Sequence, residues 1–254
     1  MSDDAMGQAH VWIENCTRDK QATQDYYTGH FGWGTQTMEM GGDYPAYTML
    51  SENGNSFGGL VALEGEMAEG MPEGWFLYFY SDDVDACARQ CEALGGRIQH
   101  PPFDIEGIGR TALLADPHGN LFYAFKPASQ GGEGEMGNPV SWLEIVTSDA
   151  AATKAFYTSL FGWGTDSFPM GEFGDYQMMT VNGKAFCGVD DFSNTGGSGW
   201  GIVFKTDDPD ALAEDCRRRG GSVVVEPHDI PGVGRNVMLA DPRGVRYQAI
   251  RSLH

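Results

Sequence analysis

The sequence predicts an α+β fold of two tandem domains, each made of two strand–helix–strands modules. Two observations carry this. Trp12 to Thr35 (WIENCTRDKQATQDYYTGHFGWGT) recurs as Trp142 to Thr165 (WLEIVTSDAAATKAFYTSLFGWGT), identical at 13 of 24 positions at an offset of 130. Pro102 to Gly119 (PFDIEGIGRTALLADPHG) recurs as Pro227 to Gly244 (PHDIPGVGRNVMLADPRG), identical at 11 of 18 positions at an offset of 125. That period far exceeds the roughly 20–50 residues of a solenoid repeat, so a whole domain is duplicated. The chain of 254 residues fits two domains: 8–128 and 139–253, with a polar linker over 129–138 (SQGGEGEMG within it). Two such domains are expected to pack about a pseudo-two-fold axis, as a homodimer does, with the working site between them.

The elements read in order. Alternation places His10, Trp12, Glu14 and Cys16 on one face of a first strand, and Trp142, Glu144 and Val146 on its counterpart. Asp19 and Asp149 are good N-caps for the helices that follow. Helix-period apolar positions run through Ala22, Tyr26, Tyr27 and Phe31, and through Ala152, Phe156, Tyr157 and Leu160; Gly32 and Gly162 stop them. Asn53-Gly54 and Asn182-Gly183 each join two short strands as a hairpin. The pattern then restarts. Trp75 to Tyr80 and Trp200 to Lys205 read as strands, with helices from about Asp82 to Leu94 and from about Asp208 to Arg219. Two more strands flank Asp116-Pro117 and Asp241-Pro242, where Gly119 and Gly244 make a tight turn.

Composition narrows the function. With 16 Lys and Arg against 36 Asp and Glu, the net charge is −20. A field of that sign repels phosphate backbones and argues against nucleic-acid binding. No stretch approaches the ~18 apolar residues of a membrane span, and the start, MSDDAMGQAH, lacks the basic and apolar regions of a signal peptide. The five cysteines, Cys16, Cys87, Cys91, Cys187 and Cys216, share no metal-ligand spacing and are expected as reduced thiols in a cytoplasmic protein.

The run ending FYxxxFGW (Tyr26 to Trp33; Phe156 to Trp163), the ALGG helix end (Ala93 to Gly96) and the DPxGN turn (Asp116 to Asn120) resemble the glyoxalase / bleomycin-resistance / dioxygenase superfamily. This is the vicinal oxygen chelate fold, and the resemblance covers nearly the whole chain in two copies. It implies βαβββ modules paired into a curved, cup-shaped mixed sheet that holds a small molecule, and is closest to the tandem glyoxalase-like members. Metal-dependent members hold a divalent ion with His, Gln or Glu from four strand positions. Carried onto this chain, those positions are Trp12 and Trp142, Tyr123 and Gln248, with middle positions near Phe76 and Gly201 and near Leu60 and Val189. Trp, Phe, Leu, Val and Gly cannot ligate, so no metal is expected at the usual position.

What remains is an aromatic cup. Trp12, Trp142, Tyr78 and Tyr123 suit a flat or hydrophobic ligand, or simply pack the sheets. Glu14 and Glu144 each lie two residues past a cup-facing Trp and so on the same side. Each is a candidate general base if burial raises its pKa, or a structural group bonded to backbone or Tyr. Arg110 and Arg235 end the loops DIEGIGR and DIPGVGR; they hold those loops against Asp104 and Asp229 or reach a ligand carboxylate. His10, His30 and His100 have no counterparts in the other copy. By resemblance to dimeric relatives, one cup would combine Trp12 and Glu14 with Gln248, and the other Trp142 and Glu144 with Tyr123. Two functions stay open: metal-independent lyase or isomerase chemistry with a Glu base, and non-catalytic sequestration of an antibiotic-like molecule. Homodimerisation beyond the intrachain pseudo-dimer is left open.

Overall fold

The computed structural model describes residues 9–40, 45–128, 139–170, 174–190 and 198–253. The expected linker over 129–138 and the side chain of His10 fall outside what is described. The first repeat runs β1 (His10–Thr17), α1 (Lys20–Phe31), β2 (Gly34–Met38), β3 (Tyr47–Glu52) and β4 (Asn55–Ala62). It continues with β5 (Gly74–Tyr80), α2 (Val84–Ala93), β6 (Arg97–Ile105), β7 (Gly109–Ala115) and β8 (Leu121–Pro127). The second repeat runs β9 (Val140–Val146), α3 (Ala150–Phe161), β10 (Gly164–Pro169), β11 (Asp175–Val181) and β12 (Lys184–Asp190). It closes with β13 (Gly199–Lys205), α4 (Pro209–Arg218), β14 (Ser222–Ile230), β15 (Gly234–Ala240) and β16 (Arg246–Ser252). Each repeat is thus two βαβββ modules, α+β as expected.

Each repeat forms one curved, open mixed sheet of eight strands. The orders are β2-β3-β4-β1-β5-β8-β7-β6 and β10-β11-β12-β9-β13-β16-β15-β14. Asp19 and Asp149 cap their helices by accepting the N–H of Ala22 and Ala152, and Gly32 and Gly162 end them in the left-handed region at φ 74° and 71°. Asn53-Gly54 (φ 51° and 85°) and Asn182-Gly183 (φ 51° and 75°) make the two-residue hairpin turns whose positive φ at both positions matches strand twist.

The residue-by-residue reading omitted four strands, β2, β6, β10 and β14. All four are sheet edges, and β2 and β10 are almost wholly exposed, so they carry no apolar alternation to detect. β6 also contains Pro101 and Pro102 at a register shift, which an edge strand tolerates because its outer N–H groups need no partner.

The described residues divide into two compact units. One comprises those within 1–12, 77–133 and 142–201, the other those within 13–76, 134–141 and 202–254. Each unit therefore takes one module from each repeat. In the second unit, Tyr27, Phe31, Trp33, Trp75, Phe204 and Tyr247 form an aromatic core. There the Trp75 indole N–H donates to the Tyr27 hydroxyl at 3.0 Å, which donates to Asp241 Oδ2 at 3.2 Å. The other unit repeats this: Trp200 Nε1 to the Tyr157 hydroxyl at 2.9 Å, and that hydroxyl to Asp116 Oδ2 at 3.2 Å. Asp116 and Asp241 are also the turn residues expected: their Oδ1 atoms accept the backbone N–H of His118 and Asn120, and of Arg243 and Val245. The helix motif and the turn motif singled out in the sequence thus meet in the core, one buried carboxylate tying them together.

Candidate functional site

Strand parity separates the two faces of each sheet. In the second repeat, Trp142 and Glu144 lie two apart on β9, and Glu144 pairs with Gly188 on the parallel neighbour β12. Gly188 in turn pairs with Met178 on β11, which puts Tyr176, two residues before Met178, on the same face. These side chains are connected. The Trp142 indole N–H donates to the Tyr176 hydroxyl at 3.0 Å, and that hydroxyl donates to Glu144 Oε1 at 2.9 Å. Burial first, and the Glu144 charge second, push the Tyr176 phenol well above its ordinary pKa, so it stays a donor. Gly188 makes room for it: a Cβ there would overlap the Tyr176 hydroxyl and come within 3.1 Å of Trp142 Nε1.

The first repeat carries the same residue types on the same face. Glu14 is buried, at 7% exposure, and Trp12 is half-buried. Glu14 pairs with Gly59, and Tyr47 lies over Gly59 as Tyr176 lies over Gly188. The Cys16 thiol points at Glu14 Oε1 at 3.6 Å. Burial, then the Glu14 charge, raise that thiol well above its usual pKa; it is a weak neutral donor and not a nucleophile. Tyr47 and Tyr176 join the site through strand register, without a motif of their own singled out in the sequence analysis. Their signal was the repeated Tyr-x-Met (Tyr47 to Met49; Tyr176 to Met178) facing a strand glycine.

The remaining predicted residues fall as follows. Tyr78 and Tyr123 pair in register on β5 and β8 and stack on each other, centroids 4.2 Å apart and planes 7° apart. Gln248 is half-buried on β16, and its Oε1 accepts the Asn236 side-chain N–H at 2.8 Å. Arg110 grips Asp85 with two bonds, at 2.6 and 2.9 Å, and Asp104 at 3.1 Å. Arg235 does the same with Asp210, at 2.6 and 2.7 Å, and Asp229 at 3.1 Å. Each Arg stands one residue from Thr111 or Asn236, so it points away from the face that carries Tyr123 or Gln248.

One expectation needs correction. Leu60 pairs with Asn15 and Val189 with Ile145, so both point to the side opposite Glu14 and Glu144; the residues level with the carboxylates are Gly59 and Gly188. The expected mixing across repeats is found in the compact units, one holding Glu14 and Gln248 and the other Trp142, Glu144 and Tyr123, while each eight-stranded sheet is drawn from a single repeat.

A divalent metal of the kind the fold family implies finds a poor donor set here. Indoles, glycines and a stacked phenol occupy most of the positions that would ligate it, and the amide oxygen of Gln248, at another, is taken by Asn236. Among the described residues, no group of three or more His, Cys, Asp or Glu side chains is placed to hold an ion. The residues do not fit the group.

Two curved sheets of paired βαβββ modules, each sheet bearing a Trp and a Glu on one face, define a cup-type α+β protein. The chain belongs to the Glyoxalase/Bleomycin resistance protein/Dioxygenase superfamily, whose family model matches residues 10–123 and 140–248. Among relatives, CFP32 of Mycobacterium tuberculosis (strain CDC 1551 / Oshkosh), whose name provisionally assigns it to the glyoxylases, is 30% identical over 94% of this chain and 93% of its own. The anthracycline biosynthesis protein DnrV of Streptomyces peucetius is 30% identical over 95% of this chain and 92% of its own. Among solved structures, the Mn(II)-bound glyoxalase from Novosphingobium aromaticivorans superposes at TM-score 0.63 with 14% identity, covering 97% of this chain and 83% of that one. The 2,3-dioxygenase LapB from Pseudomonas sp. KL28 does so at 0.61 with 14% identity, over 98% and 94%. At that identity these structures speak for the fold alone. No helix among the described residues is long and apolar enough to cross a membrane.

Proposed function

We propose that this chain binds a small, flat organic molecule on the Trp- and Glu-bearing face of its sheets, and that Glu144 accepts a proton from it without a metal. The observation that carries this is the hydrogen-bonded set Trp142–Tyr176–Glu144. It fixes one carboxylate oxygen among aromatic side chains, where a ligand would otherwise meet no charge. Glu14, beside Trp12 and Tyr47, is its counterpart. A base so placed takes a proton from an acidic C–H next to a carbonyl, and the electron pair delocalises into the ligand as an enolate. Returning the proton to another carbon completes an isomerisation. The relative named for anthracycline biosynthesis agrees with such a ligand, since anthracyclines are planar hydroxylated polycycles.

One observation favours sequestration without catalysis. The Tyr176 hydroxyl already donates to Glu144, and a hydrogen bond to the charged form weakens a carboxylate as a base. Two probes separate the readings in the full chain. Calorimetric titration with 2-naphthol tests binding, and NMR-detected deuterium exchange at the acidic carbon of 2-tetralone tests proton abstraction. Glu144→Gln is expected to abolish exchange while leaving 2-naphthol within about twofold. Binding with no exchange above buffer leaves the sequestration reading. No binding of either probe refutes the proposal.

A further inference from the structure

Among the positions at which the two repeats differ on this sheet face, one pair changes its hydrogen bonding. In the first repeat these are Thr111 and Tyr123; in the second, at the offset of 125, they are Asn236 and Gln248. The Thr111 hydroxyl is bonded internally, to the Ala124 carbonyl at 3.1 Å, and Tyr123 stacks on Tyr78. Thr111 therefore leaves no polar demand on that face. The second repeat does leave one. Asn236 is 5% exposed, and donating Nδ2 to Gln248 at 2.8 Å orients its amide so that Oδ1 has no hydrogen-bond partner. Register places Asn236 with Ile250, and Met238 with Gln248, on this face of β15 and β16, and Val203 of β13 beside Gln248. Oδ1 thus lies on a face with Met238 of its own strand and Ile250 of β16, and with His228, exposed, as the register partner of Asn236 on β14. A buried acceptor left unmade is costly, and nothing in the fold calls for it, since the duplicate builds the same strand pair with Thr.

Building on the ligand-binding reading above, we propose that Asn236 is a specificity residue, its Oδ1 accepting a hydrogen bond from an O–H or N–H of the ligand on the β15–β16 face. The fourth module then selects for a donor, whereas the second module offers ring faces and selects for flatness. Gln248 acts as the positioning residue, holding the Asn236 amide the right way round.

The test compares 2-naphthol with 2-methoxynaphthalene, the same ring system without the O–H. Both are titrated calorimetrically into the full wild-type chain and into Asn236→Thr, which carries the residue the first repeat uses and so keeps a side chain that β15 accommodates. Gln248→Glu is a second variant: it retains an acceptor for Asn236 Nδ2. In wild type, 2-naphthol is expected to bind about tenfold tighter than the methyl ether, the worth of one hydrogen bond to a buried acceptor. Asn236→Thr should remove that preference while leaving the methyl ether within about twofold, and Gln248→Glu should keep the preference. Equal affinity of both probes in wild type, or a preference that survives Asn236→Thr, overturns this inference while the binding reading stands. Failure of both probes to bind overturns that reading and this inference with it.

Discussion

Removing one oxygen atom, in Tyr157→Phe, tests whether the buried Trp–Tyr–Asp link holds its unit together. Tyr157 is fully buried; its hydroxyl accepts from Trp200 at 2.9 Å and donates to Asp116 at 3.2 Å. A neutral hydrogen bond contributes about 1 kcal/mol net and one to a charged acceptor about 1.5–3 kcal/mol. Two features temper the sum. Asp116 keeps the backbone N–H groups of His118 and Asn120 and the Asn120 side-chain amide, and half-buried Trp200 can turn its N–H to water. The expected loss is about 2–3 kcal/mol, or a drop of roughly 4–12 °C in Tm for a chain of this size. The assay is urea unfolding followed by circular dichroism, reading the midpoint at constant slope. The duplicate supplies an internal comparison. Asp241 has Val245 where Asp116 has Asn120, so its Oδ2 gains no side-chain amide, and burial already raises its pKa. Tyr27→Phe should therefore cost more than Tyr157→Phe. A loss below about 0.5 kcal/mol at Tyr157, or the reverse order of the two, would refute the reasoning.

Two further outcomes concern pH. Glu73 is gripped by Arg243 through both carboxylate oxygens, with Arg18 and Thr17 alongside, and Arg243 foremost holds its pKa down at about 2 from 4.5. Its stabilisation is complete above pH 4.5 and fades as pH falls through about 2; Glu73→Gln should cost about 1 kcal/mol at pH 7 and flatten the acid limb of the stability curve, measured as urea midpoints from pH 2 to 7. His30 has the opposite origin: burial lowers its pKa below 6.5 against the upward pull of Asp215, 2.7 Å from Nδ1, and its Nε2 has no partner. As pH falls below 6.5 the unfolded chain takes up a proton that the folded chain resists, so stability drops. His30→Leu, matching Leu160 of the other repeat, should stay within about 1 kcal/mol of wild type at pH 7.5 and lose less on going to pH 5.5. An unchanged loss at pH 5.5 would contradict this.

Local chemistry made much of the fold readable. A capping Asp and a terminating Gly bracket α1 and α3, and Asn-Gly at each hairpin leaves little choice of turn. Buried strands announce themselves through alternation; edge strands such as β10, exposed along its whole length, do not. The site was harder for a geometric reason. Trp142 and Glu144 sit on one strand and could be paired by counting, but Tyr176 arrives from β11 through register, which no local pattern encodes. Register also explains the misplacement of Leu60 and Val189. A strand has a period of two, so an error of one residue exchanges the faces, and their apolar character fitted either side.

The duplication separates what folding requires from what it permits. Both copies keep the Trp, Tyr and Asp that link modules inside each unit, and both set a Tyr over the strand glycine that pairs with the Glu. The copies part at Thr111 against Asn236 and Tyr123 against Gln248, on strands whose backbone pairing is the same in the two sheets. Folding cannot be the cause of that difference, because the Thr and Tyr version leaves no polar atom of Thr111 unpaired and the Asn and Gln version leaves Asn236 Oδ1 without a bond. A polar group retained at a cost to stability points to a use outside folding, which is the ligand contact proposed for Asn236. The two sheets then carry chemically different strand pairs on one duplicated frame, stacked rings in the first and an amide pair in the second.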